Sequence, residues 1–329
     1  MAWLDLKGNR QQIDFLKSAL NKNRLAHSFL LLGAEGIGKK LLAIEFAKFL
    51  LCDNPGKDGA CGKCQSCIKC TANAHPDLHI FSQKEFDWIK IEEMRKLQLD
   101  LSLSAYSGKW KIAIIDNAHM LTPEAANCLL KTMEEPPRES LIFLIANRID
   151  SIPETIISRC QRLYFSPLSS LSIEEAIIED SSANKSEVRF LTKFCEGRLG
   201  RALVLARDKE LFVNKNRLLH NLLNKTKVDF NDFSTNLDKE NIQLSMEFLL
   251  FFLRDCLMLK VGLDKDSLVN IDEADTIQKL ARRVTLGEIE EALDCILRAQ
   301  EINKTNINPK ILLTWLLGQL KHKLKVYNG

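Results

Sequence analysis

Ser28-Phe29-Leu30-Leu31-Leu32-Gly33-Ala34-Glu35-Gly36-Ile37-Gly38-Lys39-Lys40 is the stretch that decides the fold. Ser28 to Leu32 carries no charge and reads as a buried strand. Leu41 to Leu50 reads as a helix. Between them lies most of the phosphate-binding pattern G-x-x-x-x-G-K-[ST], in the strand-loop-helix setting that the motif requires. Gly33, Gly38 and Lys39 match it, Gly36 adds a further glycine, and Lys40 stands where the hydroxyl belongs. In a working loop the backbone N–H groups and the Lys cradle phosphates, and Ser or Thr holds Mg²⁺. An ammonium group has donors only, so Lys40 cannot ligate a cation. Both a phosphate holder without a metal seat and a tight ligand-free turn fit these residues.

A second near-miss follows. Trp110 to Asp116 reads as a strand ending in a carboxylate, where a phosphate-loop NTPase places its metal-holding acid. The water-activating Glu expected next is Asn117, and an amide cannot accept a proton at neutral pH. The plain alternative makes Asp116 a strand-end acid that caps a turn.

Bulk properties bound the rest. The chain has 329 residues, enough for two or three domains, with 46% hydrophobic and 27% charged residues, as in globular proteins. Its net charge of +3 is too small for a broad nucleic-acid footprint. The first ten residues lack the order of a signal peptide, and Phe248 to Leu253, the longest apolar run, is too short to span a bilayer. A cytoplasmic location is expected, where the ten cysteines are thiols or metal ligands rather than disulfides.

Five cysteines fall between Cys52 and Cys70, the last four at two-residue spacings (Cys61, Cys64, Cys67, Cys70). Such spacing lets thiolates converge on one ion. Zinc takes four ligands, and we assign Cys52, Cys61, Cys64 and Cys67, with Cys70 in surplus. Four thiolates leave no open position, so the zinc is structural. An iron–sulfur cluster is the chemical rival, although the Cys-Pro that often closes such runs is absent. His75 on a loop and His79 on a strand need not converge and read as structural.

Further strands are expected at Leu78–Phe81, Leu141–Ala146 and Gln161–Phe165. A helix opens at Thr122-Pro123-Glu124, with Thr as cap, Pro at the first position and an acid in the first turn. Beyond Pro167 the pattern is helical throughout, and Phe248–Leu253 is apolar on nearly every face, so its helix is expected to be buried on several sides.

Several of these residues together resemble the delta-prime family of bacterial DNA polymerase III clamp-loader subunits, which are AAA+ proteins. They are the near-miss loop, the cysteine cluster after its helix, His75-Pro76-Asp77, Ala125-Ala126-Asn127-Cys128-Leu129-Leu130-Lys131, Glu134-Glu135-Pro136-Pro137 and Ser158-Arg159-Cys160. The resemblance covers about Leu25 to Phe165 and implies an α/β fold with a parallel five-stranded sheet and flanking helices. It implies a nucleotide-binding-like domain over 1–166 with a zinc module at about 52–70, a small helical lid over 167–211, and an all-α oligomerisation collar over 212–329. It also implies a five-member ring, built with motor subunits and a delta-like clamp opener, that loads a sliding clamp onto primed DNA. Arg159 matches the arginine that this family offers to ATP on the adjacent subunit. A surface Arg paired with a helix C-terminus is the simpler reading of the same residue.

Motor subunits of such a ring share the cysteine cluster and Ser-Arg-Cys. They keep the loop hydroxyl, the Glu after the strand Asp, and a nucleotide-sensing Arg that aligns with Gly200, one step before Arg201. This chain departs at Lys40, Asn117 and Gly200. The expectation is a non-hydrolysing subunit whose own site (Gly33, Gly36, Gly38, Lys39, Asp116) is degenerate and which donates Arg159 in trans. Two alternatives stay open: an active gamma/tau-like ATPase, and a zinc-dependent nucleic-acid binder. Against the latter, Lys57, Lys63 and Lys69 are offset in part by Asp53 and Asp58.

Overall fold

The computed structural model describes residues 8–57, 59–82, 88–106, 109–224, 238–305 and 307–326. Residues 1–7 and Asp58, used above, lie outside them. Chain contacts divide the protein into two units, Met1–Ile173 with Glu196–Arg201, and Glu174–Cys195 with Ala202–Gly329.

The first unit alternates strands and helices: α1 (Arg10–Asn21), β1 (Ser28–Leu32), α2 (Lys39–Leu51), α3 (Gln65–Thr71), β2 (Leu78–Ser82), α4 (Ile91–Ser102), β3 (Lys111–Asp116), α5 (Pro123–Glu134), β4 (Ser140–Ala146), α6 (Glu154–Ile157) and β5 (Gln161–Tyr164). All pairings are parallel, in the order β2-β3-β4-β1-β5. Successive strand residues point to opposite faces, so a doubly covered sheet needs apolar residues at every position. Phe29, Leu31, Ile112, Ile114, Phe143 and Ile145 face one core with α2. Leu30, Leu32, Ala113, Ile115, Ile142 and Leu144 face the other with α4 and α5. On the first face the Phe143 ring stacks on Phe29 (5.6 Å between centroids) and meets Phe46 edge-on at 6.0 Å.

The second unit is helical in its described residues. α7 (Ser170–Asp180) and α9 (Leu199–Arg207) each run from the first unit into it. The others are α8 (Lys185–Phe194), α10 (Leu211–Leu223), α11 (Lys239–Lys260), α12 (Ala274–Arg283), α13 (Leu286–Asn303) and α14 (Pro309–Lys323). α8, expected in the 167–211 segment, packs on α11: Phe194 lies 5.1 Å from Phe248 and 4.9 Å from Phe251. Phe248, Leu249, Phe251, Phe252 and Leu253 are all buried, as an all-round apolar helix requires. Buried Asp255 accepts from Val269 N–H, Asn270 N–H and Asn270 Nδ2, which satisfies its charge inside the core. No helix among the described residues is long and apolar enough to cross a membrane.

Candidate functional site

Every strand of a parallel sheet ends at the same edge, and ligands of open α/β sheets bind outside the carboxyl ends. Gly33 follows β1 there, Ser82 ends β2, Asp116 ends β3, and Asn147 follows β4. The phosphate loop runs from Gly33 into α2. Its Gly38 caps the helix with φ 101°, a left-handed conformation that a side chain would strain.

Lys39 is buried, and its Nζ donates to Gly33 O (2.5 Å), Ala34 O (2.7 Å) and Asn147 Oδ1 (3.1 Å). Burial pulls its pKa down to about 8, against the opposing pull of Asp116 and Glu35. Lys40 reaches the other way. Its Nζ lies 3.1 Å from Asp116 Oδ2 and 2.8 Å from Ser82 Oγ. The ammonium thus sits against the carboxylate that would hold Mg²⁺. Asn117 follows in a left-handed turn (φ 55°), with its N–H donating to Asp116 Oδ1.

The loop is also touched from behind. Gly200 N–H donates to Gly36 O at 2.8 Å. A Cβ at Gly200 would lie 3.0 Å from that oxygen, so an Arg there would have to push the loop backbone aside. The structure therefore joins Gly33, Gly36, Gly38, Lys39, Asp116 and Gly200 in one place. Ser82 and Asn147 belong to it too. No motif marks either residue in the sequence: strand register sets Ser82 opposite Asp116, and the Lys39 Nζ contact brings in Asn147.

The cysteine module branches off after α2. The sulfurs of Cys52, Cys61, Cys64 and Cys67 all lie within 4.8 Å of one another. Cys52–Cys64 and Cys61–Cys67 are 3.9 and 4.0 Å apart. Tetrahedral ligands at the Zn–S distance of about 2.3 Å are about 3.8 Å apart, so the set is sized for such an ion. Backbone N–H groups point at the sulfurs: Cys61 to Cys52 (3.3 Å), Cys64 to Cys61 and Cys67 to Cys64 (both 3.4 Å). N–H donors from Lys63 and Cys64 bring the Cys61 thiol down to about 6, which favours the thiolate that a metal needs. Burial pushes Cys52 and Cys67 upward. Cys70 is outside the cluster, buried in the sheet core, its thiol pushed up to about 12 by burial. The four cysteines can hold a metal ion. His75 and His79 stand apart from them; His75 Nδ1 accepts from Asp77 N–H.

Arg159 follows α6 and precedes β5, at the opposite edge of the sheet from the phosphate loop. Gln161 pairs with Phe29 in register, so about 13 Å of strand separates the start of β5 from Gly33. Its guanidinium is partly exposed and donates to Thr155 O (2.9 Å) and Glu134 Oε1 (2.5 Å), the latter at the C-terminus of α5.

Known proteins match this arrangement. Residues 8–169 match the family described as DNA polymerase III, delta subunit, and residues 209–322 match its C-terminal counterpart. DNA polymerase III subunit delta' of Bacillus subtilis is 27% identical over 98% of this chain and 99% of its own length. The chain belongs to the DNA polymerase III delta-prime family. The delta' subunit of Escherichia coli is 25% identical, covering 96% of this chain and 95% of that protein. Among solved structures, a gamma subunit-related protein of DNA polymerase III from Thermotoga maritima has the same fold, with a TM-score of 0.55 and 17% identity over 95% of this chain and 99% of that one. The delta-prime assignment and the β2-β3-β4-β1-β5 parallel sheet agree with an AAA+ architecture followed by a helical C-terminal region.

Proposed function

We propose that this delta-prime chain is a non-hydrolysing, stator-like subunit of a clamp loader, a component of the DNA polymerase III assembly without ATP turnover of its own. The observation that carries the reading is the Lys40–Asp116 ion pair. A cationic side chain on the metal-holding acid opposes binding of a second cation there, and Asn117 supplies no base. The Gly200–Gly36 contact adds that the position of a nucleotide-sensing Arg is filled by backbone.

In this reading Arg159 serves ATP on a neighbouring subunit. Its place at the far edge of the sheet from its own loop supports action in trans, and a guanidinium forks onto phosphate oxygens and stabilises transition-state charge. The partners are motor subunits, a delta-like clamp opener and, through the complex, the sliding clamp and primer-template DNA, in the cytoplasm. Residues 1–166, 167–211 and 212–329 act as nucleotide-binding-like domain, lid and collar. Cys52, Cys61, Cys64 and Cys67 hold a structural zinc.

The tests are direct. The isolated chain with Mg²⁺ is expected to show no ATP turnover above that of a Lys39→Ala control. A rate typical of kinase- or ATPase-like enzymes, roughly 1 s⁻¹ or more, would restore the motor-subunit reading. In a reconstituted complex, Arg159→Ala is expected to lower ATP-driven clamp loading by at least about tenfold while assembly persists. Unchanged loading would remove the role given to Arg159.

A further inference from the structure

The four clustered cysteines come from two different pieces of chain. Cys61, Cys64 and Cys67 lie on one continuous turn, where the N–H of Cys64 reaches Cys61 Sγ and the N–H of Cys67 reaches Cys64 Sγ. Cys64 also caps α3. Local backbone therefore places these three sulfurs. Cys52 is placed by another element. It caps the C-terminus of α2 in extended backbone, nine residues before Cys61. Bringing it to the other three closes a loop, and loop closure has an entropic cost that falls on the bound ion unless the protein closes the loop itself.

The protein does close it. Ser66 is 5% exposed, and its Oγ donates to Asp53 Oδ1 at 2.9 Å. Asp53 follows the ligand Cys52, and Ser66 precedes the ligand Cys67. The bond thus runs beside the sulfur cluster and ties the exit of α2 to the first turn of α3. Its acceptor is a carboxylate, which makes it stronger than a bond between neutral groups. It uses no ligand atom, so it forms with or without an ion. Between its ends the chain turns back at Gly56 and Gly59, whose N–H groups each donate to the other's carbonyl, at 2.9 and 3.5 Å.

We infer that Asp53 and Ser66 form a clasp for the metal centre, which holds Cys52 against the Cys61–Cys67 turn before an ion arrives and slows the ion's departure. The inference rests on the reading of Cys52, Cys61, Cys64 and Cys67 as a metal centre and adds what keeps that centre assembled. Neither residue is a ligand; both are positioning residues. Groups outside a ligand set that fix the ligands are worth about 10–100-fold in metal affinity. Asp53 is exposed to water, which sets this clasp at the lower end, about tenfold.

The experiment is competition for Zn²⁺ between the full chain and a chromogenic chelator, with the release rate read in the same assay. Ser66→Ala and Asp53→Ala are each expected to weaken zinc binding about tenfold and to speed release by a similar factor. Asp53→Asn keeps an Oδ1 acceptor and is expected to stay within about threefold of wild type. The double variant Asp53→Ala/Ser66→Ala is expected to lose no more than either single one, because both remove the same bond. Co²⁺ in place of Zn²⁺ is expected to give the same tetrahedral-thiolate spectrum in every variant, since the four ligands are untouched. Single variants that hold zinc like wild type overturn the inference. So does a double variant that loses the product of the two single effects, which would make the residues act separately. An Asp53→Asn loss as large as that of Asp53→Ala would assign the effect to charge instead of the bond, and an altered Co²⁺ spectrum would place one of the two in the ligand set; either result also overturns it. Asp53 is exposed, so its variants decide the matter even where Ser66→Ala does not fold. Failure of the wild-type chain to take up Zn²⁺ or Co²⁺ defeats the metal-centre reading itself, whereas uptake with unaltered variants defeats the clasp alone.

Discussion

Lys39 and Lys40 are neighbours in sequence with different tasks. Lys39 is folded under the loop, and burial brings it near pKa 8, while Lys40 stands half exposed on Asp116. At the other edge of the sheet, Glu134 and Arg159 form a solvent-facing pair. Exposed pairs contribute about 0–1 kcal/mol, so Glu134→Ala is expected to change unfolding free energy by no more than that. A larger loss in urea denaturation would give the pair a structural weight that its exposure denies.

At the scale of elements, the cysteine module and α11 carry the sharpest expectations. Metal binding to a preformed thiolate set is also folding energy for the loop that carries it. Protein purified without chelators is expected to contain about one zinc per chain by mass spectrometry, four thiolates filling one tetrahedral site. Cys61→Ser and Cys64→Ser are expected to lower that content, while Cys70→Ser keeps it because Cys70 lies outside the cluster. Loss of metal from Cys70→Ser would redraw the ligand set. In α11, Asp255→Ala leaves Val269 N–H and both Asn270 donors without their acceptor, in a place shut off from water. A loss of about 3 kcal/mol is expected in chemical denaturation. Some elements were faint in sequence. In sequence α3 reads only as a metal-binding run, since seven residues are too few to show a helical period. α12 offers Ile277, Leu280 and Ala281 as its buried set, a thin apolar stripe among charges.

For the whole molecule, acid sensitivity has an identifiable source in the first unit. Burial holds His75 and His79 below their ordinary pKa of 6.5, so both are neutral in the fold at neutral pH. The unfolded chain takes up their protons first, which places the stabilising difference above 6.5 and removes it as pH falls below that value. Denaturation midpoints are expected to decline from pH 7 to 5.5, and His79→Gln is expected to flatten the decline. An unchanged slope would assign the loss to carboxylates instead. The two contact units also separate two kinds of core. The first is a sheet covered on both faces, and the second is a helical core built on Phe190, Phe194, Phe248 and Phe251.

Much of this was already written in the order of residues. Uninterrupted apolar runs announced a sheet buried on both faces, glycine spacing announced the loop between β1 and α2, and Lys40 and Asn117 marked where the chain departs from the phosphate-loop pattern. Those signals are local, carried by neighbouring residues. Tertiary structure alone decided that Lys40 lies on Asp116 and Ser82, that Gly200 rests on Gly36, and that Arg159 occupies the sheet edge away from its own loop. Each of those depends on strand order and register between segments tens of residues apart, and strand order and register are set by which apolar faces pack together, not by any one stretch of chain.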